Sequence, residues 1–264
     1  MIEYRGLWAH DAIDGSTLSA ALKAHLGRQR ARFPQSRILF VRGAERRRRD
    51  GLVVFVARTT ETERELRRLE VEHYDDLLDV ELATAGEAID HPLFLVCTHG
   101  KHDRCCAKYG RPLYHAVREQ VEEEWVWQST HVGGDRFAGN LVALPDGVYY
   151  GRVAPSDAWP LLECALKGQI HLPRYRGRSC HSFPVQAAER AVREQTGLRG
   201  VADVRLLRLD RDGEHWAVEL EAGGADFTVE VRREEGEPTH LTCSTEALRR
   251  PKRYVAGSPR ARAS

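Results

Sequence analysis

The chain has 264 residues, enough for one large domain or two small ones, and 42% of them are hydrophobic, an ordinary fraction for a globular protein. The 40 Lys and Arg residues nearly balance 39 Asp and Glu, so neither nucleic acid nor an anionic membrane is expected as a partner. No apolar run approaches the roughly 18–20 residues that cross a bilayer, and the opening MIEYRGLWAHDAIDG lacks the basic and apolar regions of a signal peptide; a cytoplasmic location with reduced thiols is the expectation.

Residues 1–90 read as an α/β unit. STLSAALKAHLGRQRARF offers Ser16 and Thr17 as N-caps and carries Leu18, Leu22 and Leu26 on one helical face. Two strands follow, RILFVRG and GLVVFVAR, joined by AERRRRDG with Asp50-Gly51 as its turn signal. Arg46 to Arg49 in that loop read as a solvated hairpin tip rather than a site for an acidic partner.

Residues 91–172 are patterned most clearly. HPLFLVC is a buried-type strand, and RPLYHAVREQVEEEW reads as a helix with Pro112 in its first turn and Leu113, Val117 and Val121 on one face. GNLVALPDGVYYGRV alternates around Pro145-Asp146-Gly147 as a hairpin, and PSDAWPLLECALKG is a further helix stopped by Gly168. In residues 173–248 the basic connector RYRGRSCHSF leads into a helix opened by Ser182 and Pro184. Four short strands then follow, DVRLLRLDRDG, EHWAVELEA, DFTVEVRRE and THLTCST, predicting an α+β subdomain. The basic tail, 249–264, is expected to be disordered, and no internal repeat is visible.

The chemistry-bearing residues gather in the middle third. Cys97 closes a strand, where α/β proteins place ligands, and Cys105 and Cys106 return after a loop, THGKHDR, rich in donors and positive charge. That spacing is too long for a C-x2-C zinc knuckle or a thioredoxin-type dithiol. In STHVGGDRFAGN, His131 and Asp135 are three residues apart, two of them glycines; an imidazole and a carboxylate so placed serve equally as metal ligands or as a hydrogen-bonded brace. GGDRFAGN is not a phosphate loop: it matches neither nucleotide fingerprint and leads into a strand.

CTHGKHDRCC followed by STHVGGDRFAGNLVALPDGVYYGRV closely resembles the sucrase/ferredoxin-like family, a branch of the thioredoxin-like [2Fe–2S] ferredoxins. The likeness is tight over Phe94–Val153 and weaker through RGRSCHSFPVQAAERAVRE to about Glu194. It implies an α/β fold with a thioredoxin-like ferredoxin core of strand, helix, hairpin and helix. It also implies one [2Fe–2S] cluster and an electron carrier, rather than an enzyme, that serves an unidentified redox partner protein. The family holds its cluster with a C-x8-C pair and a second pair at spacing x3, which in some members is two histidines. Carried over, Cys97, Cys106 and His131 fall on the first three ligand positions and Asp135 on the fourth, a departure from the pattern. A carboxylate ligand adds negative charge, so the cluster is expected to have a lower potential than a bis-histidine one and to be more easily lost. Cys105 occupies an ordinary loop position and is a possible substitute ligand, with His99 and His102 as further spares. No catalytic residue is assigned, and no paired carboxylates support a sucrase activity.

Two other readings stand beside this one. In the first, the fold persists without its cluster as a structural or interaction protein; in the second, the thiols serve redox exchange. Cys164 and Cys243 read as core or edge residues, and Cys180 and His181 as part of an ordered basic connector.

Overall fold

The computed structural model describes residues 1–44, 50–243 and 245–262; the arginine tip at 46–49 lies outside them. The N-terminal unit runs through β1 (Ile2–Glu3), α1 (Ala20–Arg32), β2 (Phe40–Arg42), β3 (Leu52–Thr59), β4 (Arg64–Val71) and β5 (Glu87–Ala88). Strand β2 is parallel to β1, β3 antiparallel to β1, and β4 and β5 continue antiparallel outward. Helix α1 is capped by Ser19, whose hydroxyl accepts from the Leu22 amide at 3.2 Å, and not by Ser16 or Thr17. Those two hydroxyls are engaged elsewhere: Ser16 donates to the Ile13 carbonyl at 2.6 Å and Thr17 pairs with the Tyr4 hydroxyl at 2.9 Å. Leu22 and Leu26 pack on Ile2, Phe40 and Val54 as the predicted helical face requires.

The middle third repeats this order with different residues. Strand β6 (Leu93–Cys97) leads into α2 (Arg104–Arg118), then β7 (Val126–Ser129), β8 (Leu141–Leu144), β9 (Val148–Tyr150), α3 (Ala158–Leu166) and β10 (Tyr175–Arg178). Again the second strand is parallel to the first, the third antiparallel to the first, and the last two extend outward. The order β9-β8-β6-β7 is the thioredoxin-like arrangement, here mixed parallel and antiparallel with helices packed on it. Strands β7 and β2 pair antiparallel, Val41 opposite Ser129, and so fuse the halves into one ten-stranded sheet, β10-β9-β8-β6-β7-β2-β1-β3-β4-β5. Read outward from that seam, both halves show the same strand sequence. The fold is an internal pseudo-twofold whose repeat is topological.

Helix α2 begins at Arg104, seven residues before the predicted start at Arg111, and ends at Arg118, so Pro112 lies inside it and Val121, predicted on its face, lies beyond it. The Asp103 carboxylate caps it, accepting from the Cys105 amide at 2.7 Å. Burial of Cys106, Gly110, Leu113, Tyr114 and Val117 along one face outweighs the roughly 3 kcal/mol that an internal proline costs a helix.

The C-terminal subdomain packs α4 (Phe183–Thr196), opened at Ser182 as predicted, on an antiparallel sheet of β11 (Val204–Asp212), β12 (His215–Ala222), β13 (Ala225–Glu235) and β14 (Lys252–Ala256). Val185, Ala188 and Val192 meet Trp216, Val218, Leu220, Val229 and Val231 in its core. The fourth strand comes from the tail, which was expected to be disordered: Lys252–Ala256 pairs with β13, and so does β15 (Arg260–Ala261). THLTCST, expected as a strand, makes a single bridge, Thr239 to Arg249, and its cysteine is drawn to the middle domain.

The connector seats this subdomain through charge. Glu189, fully buried on α4, accepts from Arg193 at 2.9 Å and pairs with His181 Nδ1 at 3.0 Å. Glu61, on the β3–β4 turn, pairs with His181 Nε2 at 3.1 Å and accepts from the Leu206 amide at 2.8 Å. His181 thus lies between two carboxylates, and one network ties the N-terminal hairpin, the connector, α4 and β11.

Candidate metal centre

Cys97 is the last residue of β6 and Cys106 the third of α2, so a strand end and a helix N-terminus bring two buried sulfurs together. A Cβ on Gly110 would stand 2.0 Å from the Cys97 carbonyl oxygen, so the bare glycine sets how closely α2 approaches that strand end. His131 and Asp135 come from the loop after β7. Gly133 and Gly134 between them take φ of 97° and 81°, left-handed values that let the loop double back.

The four residues converge. Cys106 Sγ lies 3.7 Å from His131 Nδ1 and 3.8 Å from Asp135 Oδ1, and His131 Nδ1 lies 3.1 Å from Asp135 Oδ1. Candidate ligand atoms of Cys97, Cys106 and His131 all lie within 4.8 Å of one another. A hydrogen bond from Cys106, with further bonds from His131 and the backbone at His99 and Val132, draws Cys97 well below the ordinary thiol range against its burial. Cys106 is correspondingly raised by that bond, by burial and by the neighbouring charges of Cys97, Asp135 and Asp103. A thiolate thus forms readily at this point, as metal ligation requires.

The surrounding shell was largely missed from sequence. Asn140 donates to the Gly134 carbonyl at 3.1 Å and accepts from Arg176 at 2.7 Å, while Arg176 also donates to the Gly133 carbonyl at 3.2 Å, clamping the loop. Arg37 donates to the Val132 carbonyl at 2.8 Å. His99, expected as a spare ligand, is spent: Nε2 donates to the Ala9 carbonyl at 2.7 Å and Nδ1 accepts from the His131 amide at 3.3 Å. Burial first of all lowers its pKa. His102 stacks on His131 with centroids 4.1 Å apart, and His10 stacks on His102 at 4.9 Å. The N-terminal unit therefore contributes to the site through Ala9 and His10. The sequence signal for the clamp was Asn140 closing the GGDRFAGN run; nothing local signalled Arg37 or Ala9.

Cys105 does not stand in as a ligand. It is disulfide-bonded to Cys243, with Cα atoms 6.1 Å apart, so the predicted free thiols at both positions are corrected. Buried Asp103 explains the meeting: its second oxygen accepts from the Cys243 amide at 2.8 Å and draws the C-terminal segment to the cap of α2. Cys97, Cys106, Cys164 and Cys180 remain free thiols. Among the described residues no helix is long and apolar enough to cross a membrane.

The chain is 32% identical over 118 residues to altered inheritance of mitochondria protein 32 of Meyerozyma guilliermondii, covering 41% of this chain and 42% of that protein. Its counterpart in Debaryomyces hansenii is 29% identical over 99 residues, covering 34% of this chain and 36% of that protein. The chain thus spans about two fifths or less of the length of these curated relatives. Among solved structures, the thioredoxin-like [2Fe–2S] ferredoxin of Aquifex aeolicus overlaps 34% of this chain and 100% of its own at 20% identity and a TM-score of 0.31. The sucrase/ferredoxin-like family model matches residues 2–177, and the chain belongs to that family.

Proposed function

We propose that the protein is an electron carrier holding one [2Fe–2S] cluster through Cys97, Cys106, His131 and Asp135. The observation that carries this reading is the meeting of the Cys106 sulfur with both His131 Nδ1 and Asp135 Oδ1, with the ligand atoms of Cys97, Cys106 and His131 all within 4.8 Å of one another. Two thiols, an imidazole and a carboxylate are a donor set that suits iron. The cluster would supply a one-electron couple. The chain's own residues do the rest: Asp103 sets the helix that presents Cys106, Asn140 and Arg176 fix the glycine loop, and His99 fixes the His131 backbone. Single Cys97→Ser and Cys106→Ser variants should each lose the visible chromophore while keeping the far-UV dichroism of the parent. A fully coloured Cys106→Ser protein would defeat the assignment.

The His131–Asp135 bond at 3.1 Å supports a second reading, in which the pair braces its loop and no cluster is held. The two part on an Asp135→Asn variant: bracing predicts only a change of stability, whereas ligation predicts a changed spectrum.

A further inference from the structure

Beside the candidate centre, a cleft of about 2430 Å³ runs between the N-terminal unit, the loop at 132–137 and the C-terminal segment. It exceeds the ~300–1,000 Å³ of an ordinary ligand pocket, so its two ends need separate consideration. At one end arginines crowd on a single ring. The guanidinium carbons of Arg136, Arg152 and Arg176 lie 4.6, 5.4 and 4.6 Å from the centroid of Phe137. Arg37 and Arg253 line the same cleft.

None of these five forms an ion pair among the described residues. Arg37 and Arg176 spend donors on backbone carbonyls and on Asn140, which are neutral. Asp135, the nearest carboxylate in sequence, faces His131 and Cys106, and Glu194 in the same cleft is paired with Arg190. Elsewhere the chain pairs its arginines freely, as at Arg174–Asp157 and Arg64–Asp146, so the lack of partners is local. Like charges gathered on one ring repel one another; Glu237 and Glu246 also line the cleft, yet neither forms an ion pair with these arginines among the described residues, and an arrangement that breaks the pairing rule in one place points to a functional site.

We propose that this basic end of the cleft binds a small multivalent oxyanion, either a phosphate ester or a polycarboxylate. Guanidinium forks match both groups in a bidentate manner. A small ligand fits better than the flat acidic face of a protein, because Arg176 sits behind Phe137 and the Gly133–Gly134 turn, only partly exposed. The site stands on the arginines alone and does not depend on the iron–sulfur reading.

The test is calorimetric titration of the full chain with inorganic pyrophosphate and, separately, with citrate, at about 50 mM salt where exposed charges are still felt. Saturable binding of one anion per chain is expected, and the preferred probe tells phosphate ester from polycarboxylate. An Arg136→Gln/Arg152→Gln double variant should weaken binding by roughly tenfold or more, since it removes two charged forks. An Arg205→Gln/Arg208→Gln variant, at two exposed β11 positions that do not line the cleft, should stay within about twofold of the parent, as these charges are already paired with Glu221 and Asp210 and are screened. No saturable heat with either anion up to about 10 mM, a ceiling weaker than any specific site of this kind, would overturn the proposal. So would equal losses in the two double variants, which would mean that net charge alone is being read. Because both probes are tested whether or not the protein carries iron, failure here leaves the cluster reading untouched.

Discussion

Replacing Gly110 by alanine adds one methyl group at the point where α2 meets the end of β6. The new Cβ would stand 2.0 Å from the Cys97 carbonyl oxygen and 3.0 Å from its carbon. A relaxed carbon–oxygen contact is about 3.3 Å, so helix and strand end must part by roughly 1 Å. Both sides of the clash are backbone, and no side chain can rotate away. Overpacking of this kind costs about 1–3 kcal/mol, while alanine in a helix interior returns ~1 kcal/mol of propensity. The clash outweighs the propensity, and the net loss should be up to about 2 kcal/mol, or a Tm lower by up to roughly 8 °C for a chain of this size. Gly27, exposed in α1, has open space for an added methyl, with nothing within 4 Å, and is the internal control. Gly27→Ala should raise stability by up to about 1 kcal/mol. Thermal unfolding followed by circular dichroism gives both signs, and the iron content of reconstituted Gly110→Ala should fall, since Cys97 moves away from Cys106. Equal shifts for the two variants, with iron retained in Gly110→Ala, would refute the role given to this contact.

The Glu189 network predicts a pH profile. Burial works against the charged His181 ring, but its bonds to Cys180 and Glu189 and the Glu189 charge hold it up at about 9; Glu189, with His181, Arg178 and Arg193 outweighing burial, is held near 2. The His181 contribution is complete below its unfolded value of about 6.5 and is lost as pH rises through 9, whereas that of Glu189 is present above about 4.3 and lost as pH falls toward 2. Urea midpoints should therefore decline on both flanks, and Glu189→Gln should cost about 3–5 kcal/mol by stranding buried cations. Cys105–Cys243 closes a separation of 138 residues, and reduction or Cys243→Ser should lower stability, by at most ~5 kcal/mol, without bleaching a cluster, because neither sulfur is a proposed ligand. Unchanged melting in dithiothreitol would refute the bridge. Asp135→His replaces a charged ligand by a neutral one and should raise the midpoint potential, measured by redox titration of the visible bands; an unchanged potential would remove Asp135 from the ligand set.

What the sequence made legible follows the range of its signals. Strands β6, β8 and β9 and the helices opened at Ser182 and stopped at Gly168 are local patterns of burial and turn chemistry, and they stand where expected. Strand β4, RELRRLEV, was missed because only Leu66 is buried and long arginine stems mask its alternation. The start of α2 was misplaced because Pro112 is a strong local signal, overridden here by one buried face and the Asp103 cap. The pseudo-twofold was invisible for a different reason: strand order repeats while side chains do not, and the second half alone carries Cys97, Cys106, His131 and Asp135. The tail strands depend on β13 as a template and have no pattern of their own to read. At the site, the motifs and the family resemblance named the four converging residues, but Arg37, Arg176 and Ala9 act through tertiary contacts that no spacing encodes.

The most direct test of the central claim is iron and acid-labile sulfide per chain, with a visible spectrum, on protein purified without oxygen. About two iron and two sulfide per chain with absorption in the visible, the signature of a [2Fe–2S] group, is the expected result. A colourless protein without iron or sulfide, even after reconstitution, would contradict it and leave His131 and Asp135 as a brace.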